Sequence, residues 1–280
     1  MFIKTLSVLG SPIEHSKSPL IHMAAYSVLG LEWDYQRNEV RKGGLRSFVE
    51  GLDDSWLGLS LTMPLKEEAT KLAVSVDKAA EATGAVNTLV RSESGWLGFN
   101  TDVFGIVQAV HNANLGQLNR VLIIGSGATA TSAMVAIKQL APSAEVIFLA
   151  RNSRTRDRLI LAAKALGLKA KKSGSLKRAI KKSDLTIATL PGGALDAEAV
   201  KLNKARGLKP SGALLDVAYQ PWPSAFAQLW LANNKPIISG LEMLLWQAVA
   251  QIRIFTTGDP ALPLPNEVAV VEAMRHSLEQ

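Results

Sequence analysis

Four short segments carry polar side chains where core patterning asks for none. They are Gly10-Ser11-Pro12-Ile13-Glu14-His15-Ser16-Lys17-Ser18-Pro19, Leu61-Thr62-Met63-Pro64-Leu65-Lys66, Gly84-Ala85-Val86-Asn87-Thr88 and Asn100-Thr101-Asp102. Each falls at the end of an expected strand or the start of an expected helix, where α/β sheets bind ligands. Hydroxyls, an amide, an ammonium and a carboxylate gathered there could hold a small polyhydroxylated acid. Taken singly, each has a plainer use. Ser18, Thr62 and Thr101 stand where helix caps belong, and a lone Lys66 reads as a surface lysine.

A second chemistry is written at Gly125-Ser126-Gly127-Ala128-Thr129-Ala130, which fits G-x-G-x-x-A. An expected strand ends at Ile124 and an expected helix starts near Thr129, the context that makes the pattern informative. Gly125 allows the tight turn, Gly127 lets backbone approach a pyrophosphate, and Ala130 is small enough for close helix–strand packing. The helix N-terminus offers free N–H groups and the positive end of its dipole to phosphates. The next strand ends Leu149-Ala150-Arg151-Asn152-Ser153-Arg154, with no acid at its tip. An acid there would hold a ribose 2′-hydroxyl, whereas guanidinium groups grip a 2′-phosphate. Arg151 and Arg154 therefore point to NADP rather than NAD, with Arg156 either a third candidate or a helix-surface residue.

Around these residues the chain alternates strand-like and helix-like segments. Strands are expected over 3–9, 33–40 and 57–63. A hairpin is expected over 88–99, and helices open at Ser18-Pro19, at Pro64 and at Thr101-Asp102, the last running to about Asn112. From 119 the order is strand 121–124, helix 129–140, strand 145–150 and helix 154–166. Strands 184–190, 213–216 and 236–239 follow, with a helix over 224–233 between the last two. Short apolar runs bounded by glycine read as buried parallel strands, and repeated β-then-α order implies a parallel sheet covered by helices. Helices over 241–255 and 265–278 close the chain.

Composition sets the outer limits. The chain has 280 residues, 48% hydrophobic and 20% charged, which suits about two domains with proper cores. It has no cysteine, which excludes disulfides, thiolate metal sites and a cysteine nucleophile. His15 and His22 are seven apart with no third ligand nearby, so no metal is expected. His15 is expected to shape the serine loop, and His111 and His276 read as surface residues. Trp222, Trp230 and Trp246 read as core. No apolar run is long enough for a membrane span, and the first residues do not form a signal peptide, so no membrane and a cytoplasmic location are expected. The net charge is +7, yet residues 151–182 hold twelve basic residues and one acid, Asp157. One basic stretch in an otherwise mildly acidic chain suits a single anionic ligand or a solvated face. With no reading element or aromatic platform, no nucleic acid is expected.

Taken in order and at these separations, the segments resemble the shikimate dehydrogenase family from Val8 to about Phe255. The resemblance adds Asp216-Val217-Ala218-Tyr219-Gln220-Pro221 and Gly240-Leu241-Glu242-Met243-Leu244-Leu245-Trp246-Gln247. The L-T-M-P and A-R-N-S variants look most like the actinobacterial branch. The resemblance implies an α/β chain of two α/β domains. Residues 1–104 plus 241–280 would form a substrate-binding catalytic domain completed by the C-terminal helices. Residues 105–240 would form an NADP-binding Rossmann-type domain. It further implies NADPH-dependent, reversible reduction of 3-dehydroshikimate to shikimate, within chorismate and aromatic amino-acid biosynthesis, by a monomer or homodimer.

Residue by residue, Ser16 and Ser18 match the serines that bind the substrate carboxylate, helped by Tyr219. Thr62, Asn87, Asp102 and Gln247 match residues that hydrogen-bond the ring hydroxyls. Lys66 matches the catalytic lysine, with Asp102 beside it. Such a pair suits the chemistry, because an ammonium in reach of the ketone oxygen can stabilise developing charge and deliver a proton. Cofactor contacts fall to Gly125, Ser126, Gly127, Ala128, Thr129, Ala130, Arg151, Asn152, Arg154 and Gly240, and Met243 matches a methionine near the nicotinamide or serves as core. The chain departs from the family at Ser60, which replaces an asparagine that usually braces its loop. It departs also at Ala128, often glycine, and at Asn152, often threonine. Quinate-dedicated relatives tend to carry threonine where Ser18 stands, and NAD users an acid where Arg151 stands. The alternatives are a quinate/shikimate or aminoshikimate-pathway relative and, of a different class, a silent NADP-binding sensor.

Overall fold

The computed structural model describes residues 3–204 and 208–279. Contacts divide the chain into two units, one of Met1–Gly105 with Leu244–Gln280, the other of Ile106–Met243.

The first unit begins with β1 (Lys4–Gly10), α1 (Ser18–Leu29), β2 (Trp33–Glu39), α2 (Leu45–Glu50), β3 (Trp56–Leu61) and α3 (Lys66–Leu72). It continues through β4 (Ser75–Val76), α4 (Lys78–Thr83), β5 (Thr88–Ser92), β6 (Gly95–Phe99) and the start of α5 (Asp102–Asn112). Its sheet has the order β2-β1-β3-β5-β6-β4. β1 runs parallel to β2 and β3, while β3, β5 and β6 pair antiparallel. Successive side chains of a strand face opposite ways. Leu59 and Leu61 of β3 join Leu9, Leu65, Ala69, Val86 and Leu89 in one core. Gly58 and Ser60 turn to the other face, where a Cβ on Gly58 would run into the Phe255 ring. The antiparallel register places Ser60 opposite Thr88. Two polar residues thus share an interior face.

The second unit holds β7 (Arg120–Ile124), α6 (Ala128–Leu140), β8 (Glu145–Leu149), α7 (Ser153–Ala165), β9 (Lys169–Lys172) and α8 (Leu176–Ile180). Then come β10 (Leu185–Ala188), α9 (Asp196–Lys204), β11 (Ala213–Asp216), α10 (Ala225–Leu231) and β12 (Ile237–Ser239). The all-parallel sheet has the order β12-β11-β10-β7-β8-β9. That is the doubly wound order, reversing direction between β7 and β10, and its ligands bind at the carboxyl ends of the strands there. Val121 to Ile124 are at most 1% exposed, as a strand covered on both faces requires. Phe226 and Trp230 of α10 pack on Leu122, Ile124 and Leu214. The edge strand β9 is Lys-Ala-Lys-Lys with its lysines exposed, so part of the basic stretch serves as a charged edge that resists further strand pairing.

α11 (Gly240–Thr257) crosses from the second unit into the first, and α12 (Glu267–Glu279) packs on α1. Arg253 of α11 forms a two-pronged bond to Glu267, at 2.8 Å and 2.5 Å, and reaches the Pro260 carbonyl at 2.9 Å.

Candidate active site

In the first unit, Lys66 opens α3, and its Nζ lies 2.5 Å from Asp102 Oδ2 at the start of α5. Their side chains are 13% and 6% exposed, so the pair is sheltered from water and weakly screened. The other carboxylate oxygen, Oδ1, accepts from Asn87 Nδ2 at 2.9 Å. Asn87 is the hub of this cluster. Its Oδ1 accepts from Thr101 N–H at 2.8 Å and from Thr88 Oγ1 at 2.9 Å, and its Nδ2 also reaches Thr101 Oγ1 at 2.9 Å. Gln247 Oε1 completes the group, 3.5 Å from Asn87 Nδ2 and 3.4 Å from Thr101 Oγ1. Backbone bonds fix the spacing: Val86 N–H donates to the Lys66 carbonyl at 3.0 Å, and Asn87 N–H to that of Phe99 at 3.0 Å.

So Lys66, Asn87, Asp102 and Gln247 come together, joined by Thr101. Ser16, Ser18 and Thr62 make no hydrogen bond to that cluster among the described residues. Ser16 Oγ instead accepts from Ser18 N–H at 3.3 Å, while Arg37 Nε holds the Ser16 carbonyl at 3.0 Å. Thr62 abuts Gly10, where any Cβ would meet its methyl group. The expected helix caps need correction. Lys17 and Leu65 occupy the cap positions of α1 and α3 without side-chain capping bonds. Ser18 is the first residue of α1, and the Thr101 hydroxyl is taken up by the Asn87 group instead. α3 starts at Lys66, not at Pro64.

In the second unit, Gly125 follows β7 with φ 124°, a conformation that suits glycine, and a Cβ there would strike Thr189 Oγ1. Around Gly127 a Cβ would meet nothing within 4 Å, so the backbone face is open to a ligand. Gly127 caps α6 without a side-chain bond, and Ala130 is fully buried. Ser126 Oγ lies 2.8 Å from Thr155 Oγ1, tying the glycine loop to the start of α7. Arg151 and Arg154 are exposed and have no ion-pair partner among the described residues. Arg156 is committed to Asp157 at 2.8 Å and leaves the set of free arginines. Asn152 caps α7, accepting from Thr155 N–H at 3.2 Å. Two unpaired guanidinium groups, an open glycine turn and an uncapped helix start fit a phosphate-rich dinucleotide.

Tyr219 follows β11, half-buried, its hydroxyl pKa raised by burial. Asp216, at the end of β11, is 4% exposed; burial raises its pKa, although Ser224 Oγ donates to it at 2.6 Å. Gly240 opens α11, where a Cβ would collide with the Val217 carbonyl, and Met243 is 8% exposed. His15, His111 and His276 are exposed, whereas His22 is fully buried. Trp230 is core, Trp222 is partly buried against that core, and Trp246 is half-buried with Nε1 shielded and unpaired.

Residues 8–89 match the family model for the shikimate dehydrogenase substrate binding domain. The chain is 31% identical over 283 residues to the shikimate dehydrogenase (NADP(+)) of Methanosarcina barkeri, covering 97% of this chain and 99% of that one. The crystal structure of Mycobacterium tuberculosis shikimate dehydrogenase superposes with TM-score 0.85 at 36% identity over 99% of both chains. The chain belongs to the shikimate dehydrogenase family. A Thermus thermophilus shikimate 5-dehydrogenase in complex with NADP(H) and shikimate superposes with TM-score 0.81 at 28% identity, over 98% of this chain and 100% of that one.

Within this shikimate dehydrogenase family chain, Thr88 and Thr101 lie in segments the sequence marked but were given no site role, and Gln251 was not marked; all three bond to Asn87. Thr101 was hidden by its resemblance to a cap. Gln251 had one usable signal: it follows Gln247 by one helical turn, so both lie on one face of a stretch, 243–252, that is otherwise apolar.

Proposed function

We propose that this chain is an NADP-dependent shikimate dehydrogenase in which Lys66 moves the proton and Asp102 orients it. The observation that carries this reading is the sheltered Lys66–Asp102 pair, with the second carboxylate oxygen already held by Asn87. Hydride exchange at the carbinol carbon is the chemistry NADP supplies when bound. During reduction, Lys66 Nζ donates to the ketone oxygen as negative charge develops there, and in oxidation the neutral amine accepts the hydroxyl proton. Asp102 keeps the amine aimed. Asn87, Gln247 and Thr62 hydrogen-bond ring hydroxyls, and the Ser16 and Ser18 hydroxyls take the carboxylate.

On this reading the first unit binds substrate and the second binds NADP. The glycine loop, from Gly125 and Ser126 through Gly127, Ala128 and Thr129 to Ala130, cradles the pyrophosphate. Arg151 and Arg154 grip the 2′-phosphate, with Asn152 between them, and Gly240 and Met243 border the nicotinamide. The named function of the relatives and the NADP(H) and shikimate bound by the Thermus thermophilus enzyme support it. Among the described residues no helix is long and apolar enough to cross a membrane. The enzyme works in the cytoplasm on small molecules.

The test follows reduced nicotinamide by absorbance, offering shikimate or quinate with NADP+ or NAD+. The expected result is turnover of shikimate with NADP+ at least about tenfold more efficient than any other pairing, the worth of one charge-assisted contact. Preference for quinate or NAD+ would contradict the roles given to Ser18 or Arg151. NADP+ binding without turnover would contradict the enzyme reading itself.

A further inference from the structure

Gln251 of α11 is 2% exposed, and its amide is engaged at both ends. Its Oε1 accepts from Ser60 Oγ at 3.0 Å and from His22 Nε2 at 3.2 Å. Its Nε2 donates to Thr88 Oγ1 at 3.0 Å and to the Asn87 carbonyl at 3.3 Å. The donors behind it run in one direction. Tyr35 Oη donates to Ser60 Oγ at 2.6 Å, so the Ser60 proton is left for Gln251. His22 is neutral, because burial pulls its pKa to about 3 against the opposing pull of Gln251. Its Nε2 faces Gln251 Oε1, which can only accept, so the ring proton sits on Nε2 and Nδ1 accepts from the Tyr26 hydroxyl at 3.1 Å. The ring stacks on Tyr35 with centroids 4.0 Å apart, which fixes its plane.

Ahead of Gln251 the direction continues. Thr88 Oγ1 receives the Gln251 N–H and sends its own proton to Asn87 Oδ1 at 2.9 Å. That oxygen also takes the Thr101 N–H, so the amide oxygen of Asn87 is occupied by donors. Only the NH2 end is left to face Asp102 Oδ1, and a flipped amide would set oxygen against carboxylate. A buried network of this kind is stiff when every member is satisfied.

We infer that Gln251 is a positioning residue for the reaction: acting through Thr88, it fixes the orientation of the Asn87 amide and so holds the Asp102 carboxylate against Lys66. The inference rests on the shikimate dehydrogenase reading for its effect on rate, but not for its geometry.

Gln251→Met keeps length and removes the amide, while Thr88→Val keeps shape and removes the hydroxyl. Neither residue is placed in contact with substrate or cofactor. Each variant is expected to lower kcat for shikimate oxidation about tenfold, the scale set by small misplacements of a catalytic group. The KM for NADP+ should stay within about twofold, since the cofactor contacts lie elsewhere. Because the two residues share one path, the double variant should be no slower than the slower single one. Thr88→Ser, which restores the hydroxyl, should restore the rate. Undiminished kcat in a folded Gln251→Met or Thr88→Val chain, or losses that multiply, would overturn the inference. So would a Thr88→Ser chain as slow as Thr88→Val. If Gln251→Met does not fold, the Thr88 pair carries the test. A readout independent of turnover is the Asn87 side-chain amide resonance in nitrogen-labelled protein. It should move in Thr88→Val and return in Thr88→Ser. If it does so in a chain inert toward shikimate, the reaction reading falls and the positioning stands; an unmoved resonance overturns the positioning.

Discussion

Arg151 and Arg154 stand beyond the tip of β8, exposed and without a carboxylate partner among the described residues, while Arg156 beside them is tied to Asp157. Unpaired guanidinium groups are free to grip a dianionic phosphate, and a paired one is not. Arg151→Gln and Arg154→Gln should therefore each raise the KM for NADP+ about tenfold, leave that for NAD+ unchanged, and narrow the preference between them. Arg156→Gln should do neither, as steady-state kinetics with both cofactors will show. Which arginines lack a carboxylate partner among the described residues was only partly legible in the sequence. Spacing marked three, and the Asp157 contact that removes one depends on rotamers that no pattern records. The same limit applies at Asn152, whose side-chain Oδ1 caps α7. Thr101 shows the converse: its type and place fit a cap, yet its hydroxyl is drawn to Asn87, a partner fourteen residues earlier in the chain.

At the scale of elements, the strands that form the middle of each sheet were readable because they are apolar runs bounded by turn residues. β7 and β11 are buried along nearly their whole length and announce themselves. β9 does not, since an edge strand of Lys-Ala-Lys-Lys carries no apolar alternation and is defined only by its pairing to β8. The bonding role of Gln251 was hidden for a related reason: its spacing from Gln247 showed, but its partners come from α1, β3 and β5, brought beside α11 by tertiary packing alone. The turn between β7 and α6 makes a sharper claim. Gly125 has φ 124°, and a Cβ would strike Thr189 Oγ1. Gly125→Ala should weaken NADP+ binding at least about tenfold by backbone strain and displacement of the loop. Shikimate binding, measured separately by calorimetry, should be unaffected. Equal loss of both would show a folding defect instead.

For the molecule as a whole, fully buried His22 makes stability depend on acid. Its folded pKa of about 3 lies below the ordinary value of 6.5, so the unfolded chain binds the proton first as pH falls. The stability it contributes is complete above about pH 6.5 and is lost progressively down to about pH 3. Comparing pH 7 with pH 5, the loss from this group is about 2 kcal/mol. Buried carboxylates such as Asp77 and Asp216, whose pKa values are raised by burial, act in the opposite sense. The contribution is therefore read by difference. His22→Phe, which keeps a ring beside Tyr35, should unfold with a pH slope shallower than wild type by that amount in denaturant titrations. An unchanged slope would contradict the assignment.

On the proposed reading, this chain oxidises shikimate with NADP+ and Lys66 carries the proton. The most direct test of that reading is the rate of NADP+ reduction by shikimate in wild type and in Lys66→Met, with shikimate affinity measured on both. The account predicts rapid turnover in wild type and a fall in kcat of about a thousandfold in the variant, the scale of one proton-transfer group with its electrostatic role. Shikimate should still bind, because Ser16, Ser18, Asn87 and Gln247 remain. A Lys66→Met chain that turns over shikimate within about tenfold of wild type, beyond which one general acid–base group is worth more, would contradict it.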